Sequence, residues 1–116
     1  MTNPSKRDSA AKKVTAVARS IVTYEIGIPA GCVRMSRTLS WLVPYEINLP
    51  TIFEEYLHEV QSLPLTSERL GWDRSVLRER DKVLEATNQR FRDRLFDACW
   101  ALIDRFGNDS HSTVNE

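Results

Sequence analysis

A glutamate and a histidine stand three residues apart in Glu55-Tyr56-Leu57-His58. Carboxylate-bridged di-metal bundles use this spacing, because positions i and i+3 share one face of a helix. Such a centre needs a second Glu-x-x-His pair, and the other histidine, His111, lies in a polar C-terminal run. The zinc spacing His-Glu-x-x-His is absent too, so His58 reads as a solvated helix residue. Cys32 and Cys99 fall on the apolar faces of their helices, where a thiol packs as a small hydrophobe with a raised pKa. Glu54, Glu55 and Glu59 could do acid–base work only if shielded from water. Helical geometry puts Glu54 and His58 opposite the apolar stripe and Glu55 and Glu59 at its flanks, where a solvated carboxylate is a poor general acid at neutral pH. Glycines at 27, 31, 71 and 107 form no phosphate-binding loop. No catalytic, cofactor or metal-binding residue is assigned, and the chain is read as a non-enzyme.

The elements that would position these groups are helical. Val14, Val17, Ala18, Ile21 and Val22 follow the i, i+3, i+4, i+7, i+8 rule and predict a helix from about Asp8 to Tyr24. Gly27 is expected in a left-handed C-terminal position, and Pro29 in the first turn of a second helix running to Leu42. The inner face of that helix would be Cys32, Met35, Leu39 and Leu42, with Gly31 allowing a close approach. Residues 43–48 form a connector. Asn48 or Thr51 can then cap a third helix, whose stripe is Ile52, Phe53, Tyr56, Leu57 and Val60. Leu63 to Trp72, with Pro64 and Gly71, reads as a longer loop that Trp72 plugs. From Asp73 to Phe106, the positions Val76, Leu77, Val83, Leu84, Phe91, Leu95, Cys99, Leu102 and Phe106 predict one long helix. Thr87 and Asn88 interrupt its stripe as a polar layer. The expected fold is all-α, a compact antiparallel bundle of about four helices with the last one long. Residues 8–106 would make the domain, between flexible ends at 1–7 and 107–116.

A chain of 116 residues, 41% apolar and 28% charged, is long enough for one core. No stretch approaches the ~20 apolar residues that span a bilayer, so membrane insertion is not indicated and no membrane partner is expected. Two cysteines far apart and without CxxC spacing fit a reducing cytoplasm.

Sixteen basic and sixteen acidic side chains cancel overall but are sorted along the chain. Residues 1–42 carry seven basic groups against two acidic ones, whereas residues 43–68 carry Glu46, Glu54, Glu55, Glu59 and Glu68 and no Lys or Arg. The like-charged Glu55/Glu59 pair is mildly unfavourable unless a basic group faces it. That group is either internal, with the basic first or second helix beside the acidic third, or it belongs to a partner. In the partner reading Glu46, Glu54, Glu55, Glu59 and Trp72 form the binding surface, with carboxylates steering association and aromatics anchoring it. The arginine-rich run from Arg74 to Arg94 is interleaved with Asp and Glu, so local pairing accounts for it and nucleic acid is not an expected partner.

Tyr24-Glu25-Ile26-Gly27-Ile28 followed by Gly31-Cys32, with Leu63-Pro64 and the terminal Ala98-Cys99-Trp100-Ala101-Leu102-Ile103, resembles a group of small helical bacterial proteins of unknown function. These are similar in kind to the immunity proteins encoded beside bacterial toxins, which bind and block a cognate toxin without catalysis. The resemblance implies no catalytic residue or cofactor. Its functional expectation is a cytoplasmic inhibitor of a toxin domain with a basic surface. The alternative is a self-associating scaffold or adaptor, a homodimer included, in which Tyr24, Val33, Trp41 and Phe96 form the contact.

Overall fold

Apolar stripes of helical period draw the chain into helices whose inner faces meet, and the computed structural model describes residues 4–63 and 71–107 of the result. The helices are α1 (Pro4–Val22), α2 (Ile28–Leu42), α3 (Ile52–Glu59) and α4 (Arg74–Leu102), and a π-helical turn, Ile103–Gly107, ends the last of them. No strand occurs among the described residues, and the fold is an all-α bundle with a long final helix. α1 and α2 run antiparallel. α4 and the π-helical turn pack on α1, while α3 bridges α2 and α4.

The inner face expected for α2 is the one buried: Cys32, Met35, Leu39 and Leu42 all lie in the core. Pro29 occupies the first turn of α2, where no amide hydrogen is required. At Gly31 a Cβ would lie 2.6 Å from Ile21 Cγ1, so only glycine lets α2 approach α1 this closely. Val14, Ala18 and Ile21 of α1 and Phe53, Tyr56 and Val60 at α3 fill the same core. α1 begins at Pro4, four residues before the start its apolar period suggests, which brings Lys6 and Arg7 into the helix.

Two expectations need correction. Gly27 has φ −70° and ψ 164°, an extended N-cap for α2, and the left-handed positions belong to Tyr24 (φ 64°) and Asn48 (φ 59°). Asn tolerates that conformation through its short polar side chain. Tyr24 has no such help locally; its ring lies 5.7 Å from Phe96, and Arg92 donates a hydrogen bond to its hydroxyl. In α4 the stripe is buried only from Thr87 onward, at Phe91, Leu95, Cys99 and Leu102, and continues into Phe106. Val76 and Val83 are exposed. At 29 residues α4 is about 43 Å long, most of the 56 Å long axis of the molecule.

Candidate protein-binding surfaces

Glu46 sits in the connector between α2 and α3, and the structure takes its carboxylate inward. Arg7 of α1 donates to Oε2 from Nε at 3.0 Å and from Nη2 at 2.7 Å, and Arg105 of the π-helical turn donates to Oε1 at 2.8 Å. Arg105 also donates to the carbonyls of Ile47 and Asn48. Both guanidinium groups lie over the ring of the buried Phe106, at 5.5 and 4.9 Å. Hydrogen bonding from Arg7 outweighs partial burial and, with the bond from Arg105, holds the Glu46 carboxyl below the ordinary glutamate value. The side chain is only 17% exposed. Glu46 therefore ties the connector to both ends of the described chain.

Glu55 and Glu59 are also answered from within. Glu59 pairs with Arg90 at 2.9 Å and Glu55 with Arg94 at 4.0 Å, and Thr51 donates to Glu55 at 3.0 Å. The basic groups facing α3 thus come from α4, and those facing Glu46 from the first turns of α1 and from the π-helical turn. This is the internal form of the charge sorting, with α4 in the place expected for α1 or α2. Glu54 has no ion pair among the described residues and borders a shallow groove of ≈ 440 Å³ with Glu55, His58, Glu59 and Phe91. Trp72, immediately before α4, is half-buried with Arg80 over its ring at 5.9 Å. Residues 64–70, the rest of the loop it was expected to plug, lie outside the described residues.

What the carboxylate does at the connector matters for its neighbours. Val43 and Ile47 are 64% and 78% exposed, Tyr45 is also exposed, and Trp41 at the end of α2 is 44% exposed. Trp41, Pro44 and Tyr45 wall one side of a groove of ≈ 420 Å³, and Lys6, Ala10 and Lys13 of α1 wall the other. The Lys13 ammonium stands 4.8 Å from the centre of the Trp41 ring. Tyr24 and Phe96, also considered as contact residues, lie beyond the opposite end of α2 from Trp41. The 15-residue helix between them puts the two groups about 20 Å apart.

Neither buried thiol is an activated nucleophile. Burial pushes the Cys32 thiol up to about 12, with the nearby Cys99 adding to it, and burial likewise pushes Cys99 up to about 12. Both are free thiols, and protonated at neutral pH. Tyr56 is raised by burial as well, and its hydroxyl donates to Asn88 of α4, which with the buried Thr87 makes the expected polar layer. Among the described residues no three His, Cys, Asp or Glu side chains cluster as a metal site.

No protein-family model, curated protein or solved structure matches the chain.

The exposed apolar residues at Val43, Tyr45 and Ile47 were not singled out from the sequence. From the sequence, residues 43–48 read only as a connector; in the structure Val43, Pro44 and Tyr45 are all exposed in its turn, while Glu46 is drawn inward. The partners that decide this, Arg7 and Arg105, are 39 and 59 residues away.

Proposed function

We propose that this chain is a non-catalytic bacterial protein-binding protein, an immunity-type inhibitor that acts in the cytoplasm by occluding a cognate toxin domain. The observation that supports this is the connector, where Val43, Tyr45 and Ile47 are exposed, Tyr45 in one groove with Trp41, while Glu46 ties the connector to Arg7 and Arg105. Apolar and aromatic side chains held in place before contact lose little entropy on binding, and such groups ringed by charge act as interface anchors. The protonated thiols and the hydrogen-bonded Tyr56 have structural roles in this reading, and no chemistry is asked of them.

A second reading of the surface rests on Glu54, whose carboxylate is without an ion pair among the described residues beside the groove at Phe91. There the acidic side of α3, with Glu55 and Glu59, would steer a toxin domain with a basic surface. Trp72 would serve as a flanking anchor. Self-association through the Trp41 end is the competing class of function.

Purification of the tagged chain from its native cell, followed by light scattering, separates these. The expected product is a one-to-one complex with a toxin, lost in Ile47→Asp and retained in Glu54→Lys. Loss in Glu54→Lys alone would move the interface to α3. A homodimer that Ile47→Asp dissociates would replace the inhibitor by a scaffold, and a monomer without a stoichiometric partner would count against both.

A further inference from the structure

Internal compensation is incomplete in the basic half of the sequence. Arg7 is committed to Glu46 and Asp8, whereas Lys12, Lys13, Arg34 and Arg37 are exposed and meet no carboxylate among the described residues. They are not scattered. Arg34, Arg37 and Trp41 follow i, i+3, i+7 along α2 and share its outer side, and Lys13 of α1 reaches across to the Trp41 ring. The groove between Trp41, Pro44 and Tyr45 on one side and Lys6, Ala10 and Lys13 on the other has no Asp or Glu among its described lining residues. Its α1 wall from Lys6 to Lys13 is about 10 Å long, the length of some three extended residues or two helical turns.

Resting on the protein-binding reading above, we propose that this α1–α2 groove takes an acidic segment of the partner protein. One of the segment's apolar side chains enters between Trp41, Pro44 and Tyr45, while its carboxylates lie on Lys13 and Arg37. Charge complementarity selects the occupant, since Lys13 at the groove and Arg37 one turn before Trp41 on α2, neither of which meets a carboxylate among the described residues, favour anions that also bring apolar surface. A nucleic acid fits less well. The molecule is neutral overall, which removes the long-range attraction that drives phosphate-backbone binding, and the ammonium of Lys13 already stands at the Trp41 ring on which a base would stack.

The probe is a fluorescein-labelled peptide of repeating Glu-Glu-Leu, titrated with the full chain and followed by anisotropy. A Lys-Lys-Leu peptide, a thymidine oligonucleotide and phosphatidylglycerol vesicles are run in parallel, and circular dichroism verifies that each variant is folded. The acidic peptide is expected to bind most tightly. Its Kd should rise about tenfold in Lys13→Glu with Arg37→Glu and in Trp41→Ala, and stay unchanged in Glu54→Lys with Glu55→Lys. Equal or tighter binding of any other probe, or an unchanged Kd in the first two variants, would overturn the proposal. A toxin partner lost in Ile47→Asp but retained in Lys13→Glu with Arg37→Glu would likewise overturn it while leaving the inhibitor reading intact. Peptide binding that follows these variants, in a chain that purifies with no partner, would support the groove and remove the inhibitor reading alone.

Discussion

The acidic stretch around α3 and the basic stretch of α1 and α2 carry similar charge in opposite senses, yet the fold treats them differently. Glu46, Glu55 and Glu59 are each met by arginine from α1, α4 or the terminal turn. Lys12, Lys13, Arg34 and Arg37 are met by no carboxylate among the described residues. Charge sorting in a sequence thus has two outcomes in one molecule. On one side it holds elements together, and on the other it remains on the surface. Sequence distance separates the cases poorly, because arginines far along the chain cancel the acidic excess without any local sign.

The contrast predicts a ranking of charge substitutions by their effect on stability. Glu46→Gln should be the most damaging, by about 2 kcal/mol in urea unfolding, because it leaves Arg7 and Arg105 poorly paired beside Phe106. The same group gives a pH signature. Its folded-state pKa lies below the unfolded value near 4.5, so its contribution is complete above that pH and is lost as pH falls through the lower folded value. Glu46→Gln should remove that part of the acid-induced loss, and an unchanged acid profile would place Glu46 outside the network that stabilises the connector.

A smaller effect is expected at the α3–α4 seam. Glu59 and Arg90 are both about half-exposed, so a double-mutant cycle with Glu59→Gln and Arg90→Gln should give a coupling of roughly 0.5 kcal/mol that fades at high salt. Smaller still is the change expected on the basic face, where reversing Lys12, Arg34 or Arg37 one at a time should alter stability by no more than about 0.5 kcal/mol. A loss of several times that amount would mean that these cations serve the fold after all, and the contrast between the two faces would collapse.

Much of the architecture was legible in the sequence because helical period reports which side a residue lies on. Cys32, Met35, Leu39 and Leu42 are buried as that period requires, and Pro29 marks the start of α2. Period does not report whether another element reaches that side. Val76 and Val83 continue the stripe of Phe91 and Leu95, and are exposed in the first turns of α4. Glycine was misleading at position 27, where the left-handed turn is made by Tyr24, secured by Arg92 and Phe96 from α4. The candidate surface was legible only in part: Trp41 stands out as a contact of a self-associating chain and residues 43–48 as a connector, while the sequence leaves Glu46 open between an internal and an external basic group, and the structure pairs it with Arg7 and Arg105. Contacts spanning 39 and 59 residues leave no mark on local spacing.

The most direct test compares association rates of the proposed partner protein with two charge-reversed chains, Lys13→Glu with Arg37→Glu and Glu54→Lys with Glu55→Lys. The uncompensated basic face should control encounter, so the first pair should slow association on the order of tenfold at low salt while the second leaves it unchanged. Slowing by the second pair alone would contradict the account and return the interface to the acidic side of α3.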